Sequence, residues 1–362
     1  MRVRIAEATS FQSFDGRHSV FAEASQRLFE LNDTAMAVLA AMDDPVTLPA
    51  LFDEIIPVLP GGAEALERLL VEWSACGLIE LLHSDQIDDP IGAPAALLGS
   101  PAGKARLTCL GEECRWLSAY GHLPKGNGQG FEACGMETGS LGLVRIDGGA
   151  SRIVPSDLLP ATFRFHLVEA LLERNPSVAL HCAVLVRGGS ATVLMGPPGT
   201  GKSTMALFAG KAGFTIGCDD IAFLDTESRG VTPLALPLTL KKGSMALAEA
   251  AGFAIDRTAV VPRNDGVEVM YLPLPNAPVE GPVPVRAIIK LERGGEEAPA
   301  LSPWSKTECL ELLCSEALSP TGKASIDTFR SMLAMVERAE TLVLSYGEAE
   351  RAVALLESHV AG

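Results

Sequence analysis

At 362 residues, with 48% hydrophobic side chains, the chain exceeds what one hydrophobic core usually organises, so two or three globular domains are expected. The formal charge of −16 repels nucleic-acid phosphate and anionic lipid, which excludes nucleic acid as an expected partner and requires any nucleotide site to be locally electropositive. Apolar runs such as VALHCAVLV are short and interrupted, whereas a spanning helix needs about 20 apolar residues, so no membrane segment is expected.

The amino terminus, MRVRIAEATSFQSF, breaks its apolar character at Glu7, so it does not read as an export signal. The eight cysteines form no CxxC pair and a chain of this size does not need disulfides for a core, which points to a reducing cytoplasm. Cys109, Cys114 and Cys134, with His122 between them, are spaced unlike a zinc site and read as ordinary thiols.

From about 19 to 82 the pattern predicts two or three helices behind a short extended segment. Asn32, Asp33 and Thr34 offer helix-capping side chains ahead of Ala35, Val38, Leu39 and Met42 at helical spacing. A second helix carries Leu48, Leu51, Phe52, Ile55 and Ile56 on one face. A third begins after Gly61 and Gly62, aligns Leu66, Leu69, Leu70 and Trp73, and stops at Gly77 before the extended LIELL. The stretch FELNDTAMAVLAAM, with LERLLVEWSACGLIEL after it, resembles the PqqD family, with an LN-T helix start; a winged-helix regulatory domain shares much of this pattern. The resemblance implies a small α+β, winged-helix-like domain that binds an extended leader peptide as an added strand beside a groove along the third helix.

Residues 83–160 are expected to form a linker and a small β-rich region. DQIDDPIGAPAALLGSPAGKA reads as linker, RLTCLGEECRWLSAYG and GSLGLVRIDG as short strands, and GNGQG at 126–130 as a turn.

At 196–203 the run GPPGTGKS satisfies G-x-x-x-x-G-K-[ST] between an apolar strand, SATVLM, and a helix, STMALFAGKAG. Gly199 and Gly201 let the backbone curl with its N–H groups inward, and the helix adds its positive dipole end, which suits a phosphate. Lys202 reaches the outer phosphate oxygens, Ser203 offers a hydroxyl to magnesium, and Thr204 adds a contact to the inner phosphate. The expected nucleotide-binding residues are therefore Gly196, Pro197, Pro198, Gly199, Thr200, Gly201, Lys202, Ser203 and Thr204. GFTIGCDDIAFLD then places Asp219 and Asp220 at the end of the next extended segment. Neighbouring residues on a strand point oppositely, so both carboxylates can face one phosphate only if the backbone turns between them. One acid is expected at the metal or Lys202, the other at the acceptor hydroxyl.

LHCAVLV, GPPGTGKST and GFTIGCDDIAFLD together resemble the catalytic domain of HPr kinase/phosphorylase, over about 165–358. The resemblance implies an α/β fold with a P-loop and a mixed sheet. By position it makes His181, Lys202, Asp219 and Asp220 catalytic, the loop residues nucleotide-binding, and Ser203 with Asp219 the magnesium-associated pair. The family's glycine-rich signature after the acidic pair is absent and LPLTLKKGSMAL stands there, so the resemblance does not carry phosphorylase activity or HPr as substrate over to this chain. Lys241 and Lys242 in that stretch, and Arg263 in VVPRND, are candidates for phosphate or acceptor contacts.

A PqqD-like segment ahead of an HPr kinase-like region resembles the kinases encoded with lasso peptides. Three segments are expected: 1–82 for peptide recognition, 83–160 as linker and β-rich region, and 161–362 for catalysis. The implied activity is ATP- and magnesium-dependent phosphorylation of a serine in a ribosomally made precursor peptide. A nucleotide-gated peptide carrier without phosphotransfer and a small-metabolite or sugar kinase with a regulatory amino-terminal domain remain open alternatives, and a homo-oligomer is compatible with the sequence. AIIKLER at 287–293 reads as a sheet strand rather than a motor ATPase element.

Overall fold

The computed structural model describes residues 1–82, 95–109, 115–125, 130–147, 149, 151–175, 178–294, 298–319 and 324–361. Its elements begin with β1 (Arg2–Ile5), β2 (Thr9–Phe14), β3 (Arg17–Ala22), β4 (Arg27–Leu31), α1 (Asp33–Ala40), β5 (Val46–Thr47), α2 (Leu48–Ile55), α3 (Gly62–Ala75) and β6 (Ile79–Leu82). The strands form two antiparallel sheets, ordered β5-β1-β6 and β2-β3-β4. Asn32 caps α1 by accepting a hydrogen bond from the Ala35 amide at 2.8 Å, and Thr47 caps α2. The helical stripes face inward as expected: Val38, Leu39, Leu51, Ile55, Leu66, Leu70 and Trp73 share one core, with Phe52, Ile56 and Leu69 partly buried at its margin. Gly77, at φ +74°, supplies the left-handed turn that releases the chain from α3 into β6.

Next come β7 (Ala95–Ser100), β8 (Gly103–Cys109), β9 (Phe131–Thr138), β10 (Leu141–Ile146) and β11 (Ser151–Pro155). The linker expected over 85–105 is therefore replaced by strand from 95 onward. Ala96 and Leu98, then Ala105, Leu107 and Cys109, are buried at a strand's period of two, with Thr108 buried as well, a pattern that the high Pro, Gly and Ala content obscures. In place of a further strand, Arg115–Tyr120 forms a 3₁₀ turn with Trp116 and Tyr120 buried. Residues 126–129 of the glycine-rich tract lie outside the described residues.

The remaining elements are α4 (Leu159–Arg174), β12 (Ala179–His181), β13 (Ala183–Arg187), β14 (Ser190–Met195), α5 (Lys202–Lys211), β15 (Thr215–Cys218), β16 (Ile221–Leu224), β17 (Gly230–Pro233), β18 (Leu238–Lys241), α6 (Lys242–Ala250), β19 (Val260–Pro262), β20 (Glu268–Leu272), β21 (Val283–Arg293), β22 (Ala300–Pro303), α7 (Lys306–Ser315), β23 (Ala317–Leu318), α8 (Ile326–Arg338), β24 (Glu340–Tyr346) and α9 (Ala349–Ala361). They build a mixed sheet, ten-stranded among the described residues, along β15-β13-β14-β21-β17-β16-β12-β23, with β24 against β21 and β22 against β24. The centre is parallel: β14 and β24 flank β21 on its two sides. Ala191 to Met195 are all buried, the continuous apolar run expected of a strand covered on both faces. AIIKLER is thus a sheet strand.

Two compact units emerge, the first comprising Met1–Pro94, Thr108–Cys114 and Ala133–His166, the second Ala95–Leu107, Arg115–Glu132 and Leu167–Gly362. Residues 1–82 fall entirely in the first unit, while the segment 83–160 contributes to both. Within the first, Ser74 Oγ accepts from the Ile153 amide at 2.8 Å and Ser151 Oγ from the Leu81 amide at 2.7 Å, so β11 is tied to α3 and β6 through side chains. No described helix is long and apolar enough to cross a membrane.

The cysteines depart from expectation at one position: Cys109 is disulfide-bonded, whereas Cys76, Cys134, Cys182, Cys218, Cys309 and Cys314 are free. Cys114 lies outside the described residues. His122 is held by a hydrogen-bond contact of 2.8 Å from Nε2 to the Ala235 carbonyl, and burial lowers its pKa, so it is a packed histidine.

Candidate functional site

β14 delivers the chain into the loop Gly196–Gly201, and α5 begins at Lys202. Gly196, Gly199 and Gly201 hold φ values of +142°, +92° and +99°, which L side chains rarely adopt. Gly201 is doubly constrained, because a Cβ there would collide with the Tyr346 hydroxyl. That hydroxyl donates to the Thr200 carbonyl at 2.6 Å, fastening the loop to the end of β24. Pro197, Pro198 and Gly199 are exposed, whereas Lys202 and Thr204 are buried and Ser203 is half-buried.

Lys202 is 7% exposed and its Nζ donates to the Gly196 carbonyl at 2.6 Å, so the ammonium is folded back across the loop. Burial pushes its pKa down, opposed by the negative charges of Glu316, Asp220 and Asp219. Both aspartates therefore lie within electrostatic reach of the lysine, together with a third carboxylate, Glu316.

Asp219 and Asp220 occupy the bend between β15 and β16. The bend gives them different environments. Asp219 is 4% exposed and its Oδ2 accepts from the Thr239 amide at 3.0 Å. Asp220 keeps 37% of its side chain exposed, and its Oδ1 stands 3.4 Å from His181 Nε2. The antiparallel register His181↔Ile221 explains the proximity: it sets the histidine at the end of β12, level with the residue after Asp220. On its other side, His181 Nδ1 lies 3.0 Å from Glu316 Oε2, and the His181 amide donates to the Glu316 carbonyl at 3.0 Å. Glu316–His181–Asp220 thus form a continuous chain of polar contacts, with both ring nitrogens facing a carboxylate.

Arg263 sits in the turn between β19 and β20, paired with Asp265; that hydrogen bond raises its pKa, burial opposes it, and Tyr271 and Asp220 add to the rise. Its charge therefore reaches Asp220. Lys241 and Lys242 are different: both are exposed, and Lys242 lies 3.9 Å from Glu268. His181 and Asp220 are in contact, the charge of Asp220 acts on both Lys202 and Arg263, and Lys241 and Lys242 are exposed to solvent.

Three participants escape sequence reasoning. Glu316 follows α7, 135 positions from His181, and carries no motif. Ser244 on α6 shares a hydrogen bond of 2.8 Å with Thr204 Oγ1, so the hydroxyl expected to approach an inner phosphate is already positioned. Tyr346 is visible only as the last residue of an ordinary strand.

Among the described residues, no group of three His, Cys, Asp or Glu side chains could hold a metal alone. Magnesium arriving on phosphate oxygens needs only one or two carboxylates, and the half-buried Ser203 with the backbone-anchored Asp219 fits that demand.

No family model matches the chain, and neither does any curated protein.

Proposed function

We propose that this chain is an ATP- and magnesium-dependent kinase that phosphorylates a serine hydroxyl of a ribosomally made precursor peptide, with an HPr kinase-like second unit and a PqqD-type peptide-recognition fold in the first. The observation that carries the reading is Lys202, buried in a G-x-x-x-x-G-K-S turn and surrounded by the charges of Asp219, Asp220 and Glu316. A cation at the loop and a carboxylate beside it are what a hydroxyl-to-phosphate transfer requires.

In this scheme the loop amides, the amino end of α5 and Lys202 hold the triphosphate and stabilise charge as it develops. Asp220 is the general base. It is the more exposed acid, and it takes the proton of the acceptor serine as the serine oxygen bonds to the terminal phosphorus and the bridging oxygen leaves on ADP. His181, held by Glu316, orients Asp220. Asp219 and Ser203 would hold magnesium, whose charge offsets that of the phosphate oxygens. Arg263 offers a second positive charge on the acceptor side.

Glu316→Gln keeps a hydrogen-bond acceptor and removes the charge that orients His181. The expected result is a fall of about tenfold in kcat, equivalent to about 1.4 kcal/mol, with KM for ATP unchanged. Steady-state kinetics check it; an unaltered kcat removes Glu316 from the machinery.

The leader-binding role is supported by β2 and β4, the edge strands of β2-β3-β4 among the described residues, and by the exposure of Phe11, Phe14 and Leu28 on those strands. An extended peptide pairs with such an edge through its backbone and places alternate side chains on the face that carries Phe14 and Leu28. Capture there raises the local concentration of the tethered serine.

The test is incubation of the protein, ATP and magnesium with a serine-bearing precursor peptide encoded beside its gene, followed by mass spectrometry. One added phosphoryl group on a serine is the expected outcome. Unchanged peptide alongside tight, nucleotide-dependent peptide binding would favour a carrier instead.

A further inference from the structure

Beside the loop the second unit holds a cavity of about 250 Å³, lined by Gly201 and Thr204 of the loop and α5 together with Phe208, Leu247 and Tyr346. Ligand sites for drug-sized molecules run from about 300 to 1,000 Å³, so this space takes a heterocycle with its sugar rather than a whole nucleotide. Leu247 is 41% exposed although it lines the cavity, an apolar side chain on α6 left without a cover. The lining also includes polar groups: Arg293, which ends β21, and Glu348 and Glu350, which follow β24.

We infer that this cavity is the nucleoside subsite of the triphosphate held by Lys202. The inference rests on the reading of Gly196–Ser203 as a nucleotide loop and extends it to the base and ribose. Thr204 is the link, because the residue suited to the inner phosphate also lines the cavity, and the nucleoside begins where the inner phosphate ends. The base packs on the apolar wall of Phe208, Leu247 and α6. The Arg293 guanidinium suits stacking on a π face, and its charge reaches Tyr346 next to it. The exposed carboxylates of Glu348 and Glu350 accept from ribose hydroxyls and repel phosphate, so the nucleotide enters with its phosphates toward Lys202. The Tyr346 hydroxyl, bonded to Thr200, couples the subsite to the phosphate loop.

Equilibrium binding of MgATP and of magnesium tripolyphosphate tests this on the wild-type protein and on Leu247→Asp and Ala250→Trp. Both positions are exposed, so the substitutions spare the core, and thermal melting verifies the fold of each. Both variants are expected to weaken MgATP by about tenfold or more while tripolyphosphate changes by less than about twofold. Unchanged MgATP affinity in both variants, or equal losses for the two ligands, overturns the assignment. A wild-type protein that binds neither ligand overturns the nucleotide-loop reading as well. The expected split with an unphosphorylated peptide keeps the subsite and removes the kinase.

Discussion

Lys202→Met is expected to abolish measurable phosphoryl transfer, lowering kcat/KM by at least about 10²–10³-fold, the cost of removing one preorganised charge donor from a developing oxyanion. Fold loss will not be the cause. Lys202 is a buried cation whose pKa is lowered first by desolvation, so an apolar side chain of similar length removes a burial penalty. The pH dependence has a definite sign. With the folded pKa below the ordinary 10.5, the destabilising contribution is fully present below the folded value and disappears as pH rises through 10.5, because the unfolded chain then binds more protons than the folded one. The melting temperature of Lys202→Met should therefore exceed that of the wild type near neutral pH, with the gap closing toward pH 10.5. A variant that melts lower at every pH would show that the ammonium stabilises the loop.

Asp220→Asn should lower kcat by about 10²–10⁴-fold with little change in KM for ATP, since an amide cannot take the serine proton yet keeps the size and polarity beside His181. The contrast with Asp219→Asn separates the two acids. Asp219 is buried and accepts from the Thr239 amide, a bond that asparagine retains, so its loss of charge should appear as a raised magnesium requirement. Metal titrations of the two variants distinguish them. Equal kcat losses with unaltered metal dependence in both would remove the division of labour between base and metal-associated acid.

The loop and the acidic pair were legible because both are local: glycines at positions that require positive φ, a lysine opening a helix, and two acids at a strand end lie within 25 consecutive residues, 196 to 220. The three helices of the first unit were legible for the same reason, their apolar stripes and caps being short-range signals. Glu316 was not, because its approach to His181 depends on β23 joining the sheet beside β12, a pairing between segments with no shared motif. Tyr346 likewise reaches Thr200 only because β24 runs parallel to β21, which itself flanks β14. The β7–β8 segment is not legible as strand because Pro, Gly and Ala dominate its composition and two of its inward positions, Ala96 and Ala105, carry only a methyl group. Lys241 and Lys242 were candidates by position alone, and the start of α6 turns both outward to solvent.

The most direct measurement is the fate of the terminal phosphoryl group. ATP carrying ¹⁸O in its γ-phosphate is incubated with the protein, magnesium and the leader-bearing peptide, and both peptide and free phosphate are examined. The labelled oxygens should appear in a serine phosphate ester, and the transfer should vanish in Lys202→Met. Label found only in free phosphate, with the peptide unmodified, would mean that the loop serves water rather than a hydroxyl, and would contradict the account.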